Sequence, residues 1–229
     1  MIDQVSLPFA GVGRRDIETF YPDGNEELIG VVRQLALSCT DRVVYLHGVA
    51  DSGKSHLLQG AAALARSRGQ LAIYLSMGEP GVSAELIGQV NPSILICIDD
   101  VQEIATNEPM ERALLDLFER TRSSVGRLLF SADHPPQGIG LKLADLATRL
   151  GSQLVYRIRP LDDDRRALAF RWAAHYRGIK ISAATVEWLI RRAPRDNRSL
   201  FALLEVIDRA SLDEGRRVTI PFLRTLDLD

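Results

Sequence analysis

The stretch Gly48-Val49-Ala50-Asp51-Ser52-Gly53-Lys54-Ser55 sets two glycines, a lysine and a hydroxyl at the spacing of a phosphate-binding P-loop. The glycines let backbone N–H groups turn toward an anion with no Cβ in the way. The loop follows the apolar run Val43-Val44-Tyr45-Leu46 and opens a helical stretch from His56 to Leu64. Strand, loop and helix in that order bring a helix N-terminus, worth roughly half a positive charge, to the same place. The pattern predicts that Gly48, Ala50, Asp51, Ser52, Gly53 and His56 surround the phosphates of a nucleotide. Lys54 then reaches the β- and γ-phosphates, and the Ser55 hydroxyl binds Mg²⁺.

A second group is acidic. Ile94-Leu95-Ile96-Cys97-Ile98 is apolar and β-branched enough for a parallel strand covered on both faces, and it ends in Asp99-Asp100. Open α/β sheets bind ligands at that end of their strands. Asp99 would hold Mg²⁺ and Asp100 would orient a water, which is the Walker B pattern. Another strand, 127–132, runs into Asp133-His134-Pro135-Pro136. Asp133 either faces the γ-phosphate and its water or starts a turn.

Aromatic and cationic residues complete the set. Phe20-Tyr21-Pro22 precedes a helix over 25–38; Tyr21 and Pro22 form a rigid turn that either walls a nucleotide base or staples the helix. Gln4-Val5-Ser6-Leu7-Pro8-Phe9 is a Q-x-x-L-x-F peptide. Pro8 disfavours helix at Leu7, so the segment is either an extended terminus or a ligand that lays Leu7 and Phe9 into a partner's apolar pockets with Gln4 fixing register. Arg149 closes a short helix over 143–150, where it could cap the helix or pair with Asp145 four residues back. Arg198 opens a later helix, whereas Arg191, Arg192 and Arg195 read as a solvated face.

The elements that must position these residues follow from periodicity. Strands are expected at 43–46, 71–75, 94–98, 127–132 and 153–158. A short helix fits after Ser83, and Met110, Ala113, Leu114, Leu117 and Phe118 give 108–122 an amphipathic helical spacing. The class is α/β. After Pro160 the chain turns all-helical: 162–177 stopping at Gly178, a helix capped by Ser182, a third over 197–211, and a short last one with Pro221 in its first turn. The expected organisation is an extended, mostly flexible leader (1–25), an α/β nucleotide-binding domain (26–160) and a helical domain (161–229).

Composition narrows the class further. Hydrophobic residues make up 46% of the 229 and charged residues 25%, as in an ordinary globular protein. A net charge of -2 and a pI near 6.1 argue against a protein wrapped in nucleic acid. Cys39 and Cys97 form no C-x-x-C pair and read as buried, reduced thiols. No apolar run approaches membrane-spanning length, so the expected location is cytoplasmic.

P-loop, Walker B, a polar tip on the fourth strand, an arginine before the fifth and a helical lid together resemble an AAA+ module over essentially the whole chain. Within AAA+, Gly53-Lys54-Ser55-His56-Leu57-Leu58 is similar to the Gly-Lys-Thr-His-Leu-Leu of the DnaA family, whose Walker B also ends in Asp-Asp. The resemblance implies a five-stranded parallel AAA+ sheet with a small helical lid, binding ADP or ATP with Mg²⁺. It makes Asp133 sensor 1, Arg149 an arginine finger acting in trans and Arg198 sensor 2. A DnaA-type module that stops after its lid leaves no room for that family's DNA-binding domain, and resembles its short branch of replication inhibitors. Gln4, Leu7, Pro8 and Phe9 then resemble the motif that binds the sliding clamp, the beta subunit of DNA polymerase III. The implied partners are the clamp, DnaA and, as an option, a second copy of the chain. Asp100 stands where most AAA+ proteins have a glutamate one carbon longer, which implies weak or no intrinsic ATPase. Asp51 puts negative charge beside the phosphates and favours the diphosphate by repulsion. A helicase loader and a small-molecule P-loop kinase are the competing classes; the second leaves Gln4–Phe9 and Arg149 without roles.

Overall fold

The computed structural model describes residues 16–38, 42–214 and 217–226. The Gln4–Phe9 peptide and Cys39 lie outside the described residues. Five strands, β1 (Val43–His47), β2 (Ala72–Ser76), β3 (Leu95–Asp99), β4 (Arg127–Ala132) and β5 (Leu154–Arg157), pair in parallel in the order β2-β3-β4-β1-β5. Strand alternation sorts the core into two faces. Val44, Leu46, Cys97 and Leu129 pack under α1 (Glu26–Leu37) and α2 (Lys54–Ser67). Tyr45, Ile96, Ile98 and Phe130 pack under α3 (Ala84–Gln89), α4 (Glu108–Arg122) and α5 (Ala144–Gly151). Covered on both faces, β3 and β4 are buried along their whole length. At the sheet edge, β5 leaves Leu154 and Val155 exposed.

Four helices follow the sheet: α6 (Asp163–Tyr176), α7 (Ala183–Ile190), α8 (Asn197–Glu214) and α9 (Ile220–Arg224). They enclose a core of their own around Phe170, Val186, Leu200, Leu204, Ile207 and Phe222. Each such side chain contributes roughly 1.5–3 kcal/mol of transfer free energy. Helix starts are where short polar residues cap: the side chains of Ser83, Asp162, Ser182 and Thr219 accept from the N–H groups of Leu86, Arg165, Thr185 and Phe222.

Residues 16–25 differ from the expected loose leader. Ile17–Thr19 form a 3-10 turn, and Ile17 is buried in the α1/α2 core. The turn lies against Gly60 of α2, where a Cβ would fall 2.9 Å from the Ile17 nitrogen. His56 Nε2 is 2.8 Å from the Asp16 carbonyl, and Trp172 of α6 donates to the Glu18 carbonyl at 2.9 Å. Asp23 pairs with Arg165 at 2.7 Å. The segment is a strap from the P-loop helix to the helical domain. Its one core residue gives no periodicity, so the composition of glycines and prolines dominated the expectation.

Candidate nucleotide site

The P-loop leaves the C-terminal end of β1 and turns through two left-handed positions, Asp51 (φ 58°) and Gly53 (φ 99°). Gly53 is required twice over: by its φ, and because a Cβ there would meet Phe20 Cε2 at 2.6 Å. The Leu57 N–H closes the first turn of α2 on the Gly53 carbonyl, leaving the preceding N–H groups of Lys54 and Ser55 without an acceptor within the helix. Lys54 is buried, and its Nζ donates to the carbonyls of Gly48 (2.8 Å) and Val49 (3.1 Å), at the centre of the loop. Ser52 Oγ is buried with no hydrogen-bond partner among the described residues. A cradle of N–H groups, an ammonium and an unmatched hydroxyl fits an anion.

The two expected Mg²⁺ ligands meet at one hydroxyl. Tyr74 of β2 donates to Asp99 Oδ2 at 2.6 Å, and its phenol also interacts with Ser55 and Gln59. Ser131 of β4 donates to Asp99 Oδ1. Asp99 is fully buried. Burial and the Asp99 charge hold the Tyr74 phenol protonated. This arrangement suits a cation held between Ser55 and Asp99.

Asp100 has φ 57°, which re-aims the chain into the turn after β3. Burial and the neighbouring Asp99 raise its pKa above the usual carboxylate value. Gln102 joins it to the tip of β4: its Nε2 donates to Asp100 Oδ1 (3.2 Å), and its Oε1 accepts from the Asp133 N–H (3.3 Å). Asp133 Oδ1 lies 3.1 Å from His134 Nδ1, an ion pair when the imidazole is protonated. Burial, Arg157 and His134 depress the pKa of His47 at the end of β1.

Arg198, at the start of α8, lies 3.9 Å from Asp51, and Asn197 Nδ2 donates to the Asp51 carbonyl at 3.1 Å. The His56 imidazole is engaged with Asp16 and with Thr19 Oγ1 (3.1 Å), so its side chain serves the strap. Tyr21 sits edge-on to Trp172, with ring centroids 6.1 Å apart, and the Pro22 carbonyl accepts from Asn25 N–H at 2.6 Å. Phe20, the first residue of that aromatic turn and given no role of its own from the sequence, lies against Gly53 of the P-loop.

Arg149 stands elsewhere. All strands run parallel, so α5, which feeds β5, ends at the edge of the sheet opposite the P-loop, about 16 Å away by strand length. Its guanidinium is held by Asp145 and by Glu119 in the last turns of α4.

A family model described as "Hda, lid domain" matches residues 162–226. An uncharacterised protein of Haemophilus influenzae is 33% identical over 229 residues, 99% of each chain. The chain belongs to the DnaA/Hda-like AAA+ family. Domain III of the Thermotoga maritima replication initiation protein DnaA superposes with a TM-score of 0.72 at 16% identity, covering 94% of this chain and 96% of that one. A replication initiator DnaA bound to AMPPCP and single-stranded DNA gives 0.68 at 20% identity, over 90% and 69%. The AAA+ core and lid are therefore the units described above. Tyr74, Ser131 and Gln102 are the partners of Asp99 and Asp100 that sequence reasoning missed. Ser131 alone carried a signal, as a hydroxyl inside an otherwise apolar strand.

Proposed function

We propose that this AAA+ protein is a cytoplasmic adaptor of replication control that binds ADP or ATP with Mg²⁺. With the DNA-loaded sliding clamp it stimulates ATP hydrolysis by DnaA and so restrains re-initiation. The observation that carries this reading is the position of Arg149, near the end of α5 at the edge of the sheet opposite its own P-loop, which suits it to a neighbour's nucleotide. In a transferring phosphoryl group, charge spreads over the equatorial oxygens, and an arginine supplied in trans is worth about 10³–10⁵ in rate. The family membership and the Hda-type lid support the choice of DnaA as that neighbour.

The protein's own nucleotide has a different role here. Gly48–Ser55 and Arg198 would hold the phosphates, Ser55 and Asp99 would hold Mg²⁺, and that ion would neutralise phosphate charge. Asp100 is one carbon shorter than glutamate and tied to Gln102, which suits a site that retains nucleotide more than it turns it over. The Gln4-x-x-Leu7-Pro8-Phe9 peptide is the proposed clamp ligand, with Leu7 and Phe9 as apolar anchors. Replacing both by alanine is expected to abolish capture by the purified clamp and the clamp-dependent stimulation of DnaA, with ADP binding intact. Undiminished capture would remove the clamp from the reading.

A further inference from the structure

Arg149 is a restrained side chain. Its Nε lies 3.0 Å from both carboxylate oxygens of Asp145, and its Nη1 donates to Glu119 Oε1 on α4. Nη2 has no hydrogen-bond partner among the described residues. The guanidinium is thus held at Nε and at Nη1, and Nη2 remains able to donate. A fork fixed in this way can still offer hydrogen bonds to phosphoryl oxygens without releasing its carboxylates.

The helices that carry this pair are themselves locked together. Glu111, two turns before Glu119 on α4, is fully buried. It accepts from the N–H groups of Thr106 (2.9 Å), Lys142 (3.1 Å) and Leu143 (2.8 Å). One carboxylate of α4 therefore fixes the start of α5, and a second meets the arginine near its end. An unrestrained arginine loses about 2 kcal/mol of rotamer entropy when ordered. A small misplacement of a catalytic group also costs rate steeply.

We infer that Glu119 is a positioning residue, which pre-orders the Arg149 guanidinium for a neighbour's γ-phosphate. The inference rests on the in-trans reading of Arg149. Glu119 is 44% exposed and Arg149 35%, so the ion pair itself adds little stability, and its removal leaves the fold intact.

The test measures hydrolysis of DnaA-bound ATP on clamp-loaded DNA across a titration of wild-type protein, Glu119→Ala, Glu119→Gln, Arg149→Ala and the Glu119→Ala/Arg149→Ala double variant. Glu119→Ala is expected to lower the maximal rate about three- to ten-fold, with an unchanged half-saturating concentration and melting temperature. Glu119→Gln, whose amide oxygen still accepts from Nη1, should restore part of that loss. In the double variant, Glu119→Ala should add nothing to Arg149→Ala. A Glu119→Ala rate at or above wild type overturns the inference, as does an equal loss in both backgrounds. A wild-type rate for Arg149→Ala instead overturns the in-trans reading beneath it.

Discussion

Arg198 Nε and Asp51 Oδ1 lie 3.9 Å apart, so a lid helix and the P-loop meet across one ion pair. Arg198 is 85% exposed on its side chain, and a pair of that kind is worth at most about 1 kcal/mol. A triphosphate would compete with Asp51 for the same guanidinium while Asp51 repels it. Asp51→Asn is therefore expected to raise ATP affinity by up to about ten-fold and ADP affinity by less. Calorimetric titration with each nucleotide reads the ratio. An unchanged ratio would show that Asp51 does not select between them.

Asp100 carries a carboxyl whose pKa is raised by burial and by Asp99. The folded state therefore binds its proton more tightly than the unfolded state does. Stability falls as pH rises from the ordinary aspartate value through the raised one, and the penalty is fully present above the raised value. Asp100→Asn should raise the melting temperature at pH 7.5. The gain should shrink as pH is lowered toward the ordinary aspartate range. A gain independent of pH would assign the effect to something other than charge.

Most of the fold was legible because it is written in local pattern. Apolar runs marked the five strands, and Ser83, Asp162, Ser182 and Thr219 marked helix starts that the structure places at caps. The P-loop was legible for the same reason, being one contiguous stretch. What escaped depends on register between strands distant in sequence. Tyr74 and Ser131 reach Asp99 because β2 and β4 flank β3, which no local spacing encodes. Gln102 lies two residues past Walker B and gains meaning only from its bond to Asp133. The strap was misread because a single buried isoleucine, Ile17, has no period.

Gly60 tests whether the strap is held as described. Glycine-to-alanine in a helix interior ordinarily stabilises by about 1 kcal/mol. Here the added Cβ would fall 2.9 Å from Ile17 N and 3.2 Å from its Cα, both backbone atoms. Gly60→Ala should therefore lower the melting temperature and shift the fluorescence of Trp172, whose indole N–H is bonded to Glu18. A raised melting temperature with unchanged fluorescence would mean that the strap does not press on α2.

The central claim is that Arg149 acts on a neighbour's nucleotide. Its in-chain partners, Asp145 and Glu119, make an exposed pairing that the fold does not depend on. Arg149→Ala should therefore fold, bind ADP and bind the clamp as wild type does. The deciding measurement is the fraction of DnaA in the ADP form over time, on clamp-loaded DNA, with wild-type or Arg149→Ala protein. The account predicts conversion with wild type and, with the variant, a rate no faster than that of DnaA alone. Equal conversion by the two proteins would contradict it.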